Sequence, residues 1–488
     1  MSKCNISEYK TEVDELILFK NNINQLNEID TQASVLLFLD KMFLIENKLR
    51  KADKYFLLKY ELSQNKENLT NKQDFWKIYS EFLTIKESKL EEIIKNYSLN
   101  ELLNYDKASK YSRYIKKIFQ KKSHLVSQKD SARYEKLLID SEKIRDDFLK
   151  KEEWSSDIEL LNQVKKYVVM RKEIAKLQNF NSVLERELFY DGIDISCFNN
   201  LINIFDTKKS VVKETKRIKN QDDNAVNKYT LEESIKLIEQ LLLEVFDEEY
   251  LKKVNLIIAN NCIDYYPREN KVDYNFTVGC LGCNPVISIN YEEKLDDVRI
   301  LIHELGHAVH LMYHGENNIV DYDYDAFLGE IVAMLNEILL LDKLKSGSNK
   351  STREEARKST ILMYEWLFID AIKALKLEHY IHNNYKNLDL DYIKKDKDWI
   401  IHISRVFFDY YDYKYAIGLC VATKLYLMIQ TSDFDFNKLC QLLKASSNDN
   451  ISDILKIVGI NLNDKDFSKK LINDTFDFLE NELKSLTS

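Results

Sequence analysis

Glycine and proline are nearly missing from this chain, with nine and two in 488 residues. Residues 1–250 contain one glycine, Gly192, and no proline. These residues end helices and set turns, so their scarcity predicts long helices joined by polar turns. A basic patch is missing too. The formal charge is −9 and the Lys and Arg residues are scattered, which argues against nucleic acid as a main partner. No stretch approaches the ~20 apolar residues that span a bilayer, so no membrane partner is expected. "MSKCNISEYKTEVDELILFK" (1–20) has neither the apolar core nor the small-residue cleavage site of a signal peptide. Seven cysteines, an odd number without regular spacing, fit a reducing compartment better than a disulfide framework. The expectation is a soluble, cytoplasmic protein.

What the chain does have is amphipathic helix. In "YEKLLIDSEKIRDDFLKKEEW" (134–154), Leu137, Ile144 and Phe148 recur at helical spacing among charges. No a/d heptad continues long enough for a coiled coil. Punctuation returns between residues 267 and 329, where seven of the eleven Gly and Pro residues fall. There "NPVISINY" (284–291) alternates Val286, Ser288 and Asn290 with Ile287, Ile289 and Tyr291, a strand pattern opened by a proline. "VNLIIANNCIDYYP" (254–267) predicts a second strand or a helix end. The fold class is mainly α with a small β-sheet, read as an N-terminal helical lobe over 1–190 and a catalytic region over 191–488. The "NPVISINY" strand is expected to hold an extended peptide by strand addition.

Four of the eight histidines crowd into "LIHELGHAVHLMYHG" (301–315). His303 and His307, four residues apart, share one helix face and can both reach a Zn²⁺ ion at about 2.0–2.1 Å. Glu304 lies beside that face, where it can act as general base on a metal-bound water, the HExxH arrangement. Val298, Ile300, Leu301, Ile302, Leu305 and Val309 make the helix apolar, so its imidazoles and carboxylate need partners. His310 and His314 are expected to lie outside the ligand set or at the surface. A catalytic zinc needs a third ligand. In "AFLGEIVAMLNEILLLDKL" (326–344), Glu330 is a carboxylate on an apolar helix, costly unless paired or metal-bound. Glu337, two turns on, is the rival ligand, read instead as a residue that steadies a histidine. The predicted set is one zinc per chain on His303, His307 and Glu330.

"DDVRILIHELGHAVHLMYHG", "YDAFLGEIVAMLNEILL" and "YYDYKYAIG", in that order, resemble the oligoendopeptidase F branch of the thimet oligopeptidase family of zinc metallopeptidases. The resemblance covers roughly residues 260–420. It implies a mostly helical, two-lobed body with a deep channel for short unstructured peptides, and a zinc-dependent endopeptidase with Glu304 as base. It also implies an oxyanion-stabilising histidine and tyrosines from "WIIHISRVFFDYYDYKYAIG" (399–418): His402, Tyr415 and, as alternate, Tyr413. His402 lies further upstream than relatives place it and Arg405 falls near the expected slot, so either His402 or Arg405 fills it. Rival readings are a dedicated processing peptidase for one leader or signalling peptide, a carboxypeptidase Taq-like exopeptidase, and an inactive peptide-binding scaffold. The second lacks its His-Pro-Phe motif here. Cys280 and Cys283 ("CLGC") read as reduced thiols near the substrate strand, because one pair cannot complete a tetrahedral zinc site. "DYDYD" (321–325) reads as a solvated loop.

Overall fold

A computed structural model describes residues 6–10, 31–105, 107–149, 156–220, 227–395, 398–431 and 434–487. Most of the N-terminal stretch read above as lacking a signal peptide, and residues 150–154 of the amphipathic 134–154 stretch, lie outside them. Most described residues are helical. Among these residues no helix is long and apolar enough to cross a membrane.

The chain forms two compact units. One comprises residues 1–122, 224–359 and 431–449, the other 123–223, 360–430 and 450–488. Packing therefore does not follow a single boundary at 190/191. Each unit is closed by three separated chain segments, a closure that composition along the chain does not reveal.

In the first unit, α1 (Gln32–Glu61) and α2 (Lys66–Asn96) are the long helices that the missing glycine and proline predict. Thr31 starts α1, its hydroxyl accepting from the Ser34 amide at 3.1 Å while the Ser34 hydroxyl accepts from the Thr31 amide at 2.9 Å. Val35, Leu39, Met42, Leu49 and Ala52 bury one stripe of α1.

Three short strands follow: β1 (Ile263–Asp264), β2 (Phe276–Val278) and β3 (Val286–Ser288). "VNLIIANNCIDYYP" thus both ends a helix, at Ala259, and supplies a strand. The sheet order is β1-β3-β2, with β3 parallel to β1 and antiparallel to β2. This corrects the strand-addition expectation. "NPVISINY" supplies the central strand, whose backbone is paired on both sides and whose residues are all buried. Alternation reports side-chain direction, not position in a sheet. The edge nearest the histidine helix chemistry is β2.

β2 and β3 pack on α3 (Leu295–His314), which packs along α4 (Ala326–Lys345). Asp297 Oδ2 caps the start of α3, accepting from the backbone amides of Glu292 at 2.8 Å and Lys294 at 2.9 Å. Gly306 sets the approach of the two helices. A Cβ there would stand 2.8 Å from the Ala333 Cα and 3.0 Å from the Asn336 amide nitrogen. Backbone cannot give way as a flexible side chain does. Gly306→Ala is expected to cost about 1–3 kcal/mol through overpacking, read as a lower midpoint in urea with an unchanged slope.

Candidate metal centre

The α3–α4 contact brings the carboxylates of one helix to the imidazoles of the other. His303 and His307 point their Nε2 atoms at each other, 3.0 Å apart. Glu330 Oε2 lies 3.6 Å from His303 Nε2 and 3.9 Å from His307 Nε2. Three ligands at 2.0–2.1 Å from a tetrahedral ion would stand about 3.3 Å apart, so the trio has the right size for one ion. Among the described residues it is the only group of three or more such side chains able to share one. Glu330 and His307 are buried and His303 nearly so.

Each imidazole is oriented by its other nitrogen. With Nε2 facing the metal position, Nδ1 carries the proton. His303 Nδ1 donates to Glu337 Oε1 at 2.5 Å, and His307 Nδ1 donates to the Tyr324 hydroxyl oxygen at 2.7 Å. Glu337 in turn pairs with Arg299, which also reaches Asp296 at 3.2 Å. Burial disfavours a charged Glu337, but Arg299 and His303 outweigh it and hold this carboxyl below the ordinary range. Burial likewise opposes charge on His303, yet Glu337 foremost pushes its imidazole up to about 9. Burial, then His303, holds His307 well below its usual value.

Glu337 is therefore the residue that steadies a histidine, lying on the Nδ1 side of His303 while Glu330 lies on the Nε2 side. Glu337→Gln is expected to weaken metal binding about 10–100-fold while leaving it measurable. Competition with a chromogenic chelator measures this, and a thermal melt checks that the fold survives.

Glu304 is 6% exposed. Its Oε2 accepts the Thr277 hydroxyl from β2 at 2.6 Å. Burial pushes its carboxyl up, and His303 partly opposes that shift. His310 and His314 are not surface groups. Both are buried, with rings 4.5 Å apart and nearly perpendicular, and burial first of all lowers both pKa values. α3 is covered on nearly all sides, so face arguments from the sequence could not place them.

Sequence reasoning missed Thr277 and Tyr324. Nothing marks Thr277, but Tyr324 stands in "DYDYD" before a glycine that has a reason. A Cβ on Gly329 would come 2.0 Å from the Tyr324 hydroxyl, so only glycine leaves room for that phenol beside His307.

The C-terminal motif lies in the second unit. His402 is fully buried and pairs with Asp370 at 2.9 Å. The Tyr413 hydroxyl bonds to Asp191. A cavity of about 400 Å³ is lined instead by Arg405 and Tyr415, with Trp366, Phe408, Tyr411 and Asp412 among its walls. Arg405 reaches Asp370 at 3.1 Å and Asp412 at 3.3 Å. Of the four candidates, the structure brings Arg405 and Tyr415 to one cavity and leaves His402 and Tyr413 out of its lining. Tyr411, which the sequence reading did not single out as a site residue, joins them there.

Residues 238–472 match peptidase family M3. An oligoendopeptidase F homolog of Lactococcus lactis is 26% identical over 284 residues, covering 53% of this chain and 46% of that protein. Oligopeptidase PepF of Bacillus subtilis is 25% identical over 240 residues, covering 44% and 36%. The chain thus spans about half the length of the curated relatives it matches, or less. A solved chain from Chlamydophila abortus, provisionally assigned as a peptidase, shares the fold with a TM-score of 0.79 at 20% identity, covering 99% of this chain and 97% of that one. Oligoendopeptidase-F from Enterococcus faecium does so with a TM-score of 0.67 at 14% identity, covering 98% of each.

Proposed function

We propose, because residues 238–472 match peptidase family M3, that the chain is a zinc-dependent endopeptidase of short, unstructured peptides. The observation that carries this reading is the His303–His307–Glu330 trio with a buried carboxylate, Glu304, next to it. A zinc ion held by the trio would supply a Lewis acid that polarises a peptide carbonyl and brings the pKa of water towards about 7.

The chain's own groups do the rest. Glu304 takes a proton from the attacking water and returns it to the leaving amine. Its raised proton affinity suits that exchange, and Thr277 holds one carboxylate oxygen in place. Glu337 and Tyr324 keep both Nε2 atoms aimed at one point. The oxyanion role is proposed for Tyr415 with His402 or Arg405, and Tyr413 as alternate, because a phenol, an imidazole N–H or a guanidinium can each donate to a developing oxygen anion.

Substrate size follows from the sheet. Among the described strands nothing pairs with the outer edge of β2, the strand that presents Thr277 to Glu304. An extended peptide can add there by backbone hydrogen bonds, and a folded domain offers no free backbone to do so. Zinc-loaded protein is expected to cleave a quenched peptide and to leave the same sequence uncut when it is grafted into a surface loop of a stable protein. Equal cutting of both would make the chain a general protease. No cleavage by the zinc-loaded protein would make it a binding scaffold.

A further inference from the structure

The catalytic reading leaves the "CLGC" motif unused. Cys280 and Cys283 form the corners of the turn that leads from β2 towards β3, closed by the Cys283 amide donating to the Cys280 carbonyl at 3.1 Å. Gly282 takes φ +81°, and open space surrounds the position its Cβ would occupy. A turn of this kind holds its first and fourth Cα atoms within about 7 Å, inside the range a disulfide spans. The Cys283 thiol donates to the Glu8 carbonyl at 3.5 Å. Cys280 is buried against Tyr9, Leu58, Val278 and Val286, whereas Cys283 is half-exposed. The two sulfurs thus differ as an attacking and a resolving thiol must: one reachable, one sheltered behind it.

Charge sharpens the difference. The shared hydrogen from Cys280 and the Lys51 ammonium on α1 hold the Cys283 thiol below its ordinary value, while the same contact and burial push Cys280 up. A third metal-binding side chain is missing: among the described residues, the histidine–glutamate trio is the only cluster able to share an ion. The pair is therefore read as redox chemistry rather than as a thiolate metal site.

We propose that Cys280 and Cys283 are a reversible dithiol–disulfide site that exchanges with low-molecular-weight disulfides of the glutathione class, and that closing it lowers catalysis at Glu304. The Cys283 thiolate attacks one sulfur of RS–SR, whose S–S bond breaks, and RS⁻ leaves to take up a proton. Cys280 then gives up its proton and attacks the Cys283 sulfur, forming the intramolecular disulfide and expelling the second RS⁻, which is protonated in turn. Two protein thiols are oxidised and one RS–SR is reduced to two RSH.

The route to the catalytic group is short. Thr277, the partner of Glu304, lies three residues before Cys280. Gly279, between them, packs so closely on α3 that a Cβ would stand 2.8 Å from Leu311. On its outer side the turn is tied to residues 8 and 9, with the Asn284 amide donating to Glu8 Oε2 at 2.9 Å and the Tyr9 hydroxyl donating to the Asn284 carbonyl at 2.6 Å. A new covalent bond in a turn held at both ends is taken up at β2, where Thr277 sits.

The test treats the full-length protein with oxidised glutathione and maps its cysteines by alkylation and peptide mass. Two alkylatable thiols should be lost, with Cys280 joined to Cys283, and dithiothreitol should restore both. Cys280→Ser should stop at a stable glutathione adduct on Cys283, and Cys283→Ser should leave Cys280 unmodified. Cys440, also half-exposed, is the internal control. Preferential modification of Cys440, or no 280–283 bond, overturns the site. The regulatory half rests on the peptidase reading, whereas the thiol map does not. Peptide cleavage should fall on oxidation, recover with dithiothreitol, and be indifferent to oxidant in the Cys280→Ser/Cys283→Ser double variant. A 280–283 disulfide that leaves the cleavage rate unchanged overturns that half.

Discussion

Glu330→Gln should remove most of the bound metal and, with it, the peptidase activity. An amide keeps the shape of the side chain but gives up the negative charge that binds a cation and balances two imidazoles. The remaining ligands, His303 and His307, would then hold the ion alone. The loss should exceed the roughly 10–100-fold expected for Glu337→Gln, since Glu337 would act through a histidine whereas Glu330 is proposed to contact the ion itself. Elemental analysis after dialysis, beside a thermal melt, separates metal loss from unfolding. Unchanged metal content in a folded variant would reject Glu330 as the third ligand. Glu337 could replace it only with a rearrangement, because its carboxylate meets His303 at Nδ1, the nitrogen turned away from His307.

The clustering of His303, His307 and Glu330 was legible in the sequence because most of its geometry is local. The spacing of His303 and His307 fixes their relation within one helix, whatever surrounds it. Glu330 stood out for an energetic reason, as a carboxylate among apolar neighbours on a helix that is buried almost throughout. Glu337 was equally visible. Its role could be guessed but its side of the imidazole could not, because that depends on how α3 crosses α4 and hence on Gly306 and Ala333.

Other features depended on contacts between distant segments. The strand in "NPVISINY" was readable, but its central place depends on pairing with Ile263–Asp264 and Phe276–Val278, neither of which its alternation encodes. The two units each gather three chain segments, so no shift in composition marks their limits. The histidine motif of the C-terminal region was ambiguous for a similar reason. His402 and Arg405 lie on one short helix, Trp399–Arg405, and both engage Asp370. Only the packing decides that the guanidinium lines a cavity while the imidazole does not.

Glu304→Gln should have the opposite signature to Glu330→Gln: metal retained, activity lost. Glu304 is absent from the trio able to share an ion, and its nearest polar partner is the Thr277 hydroxyl rather than an imidazole nitrogen. An amide can still accept that hydrogen bond, so β2 and α3 should keep their contact and the fold its stability. What the amide cannot do is take a proton from water and pass it to the leaving amine. The expected loss in kcat is about 10²–10⁴-fold or more, with zinc still at one per chain and peptide affinity nearly unchanged. The comparison is decisive because both variants change a carboxylate to an amide on adjoining helices and differ only in what that carboxylate touches. Measured together, metal content and kcat should move in step for Glu330→Gln and come apart for Glu304→Gln. A Glu304→Gln protein that cleaves peptide at the parent rate would show that the proton travels by another group, and the general-base assignment would fall while the metal site stood.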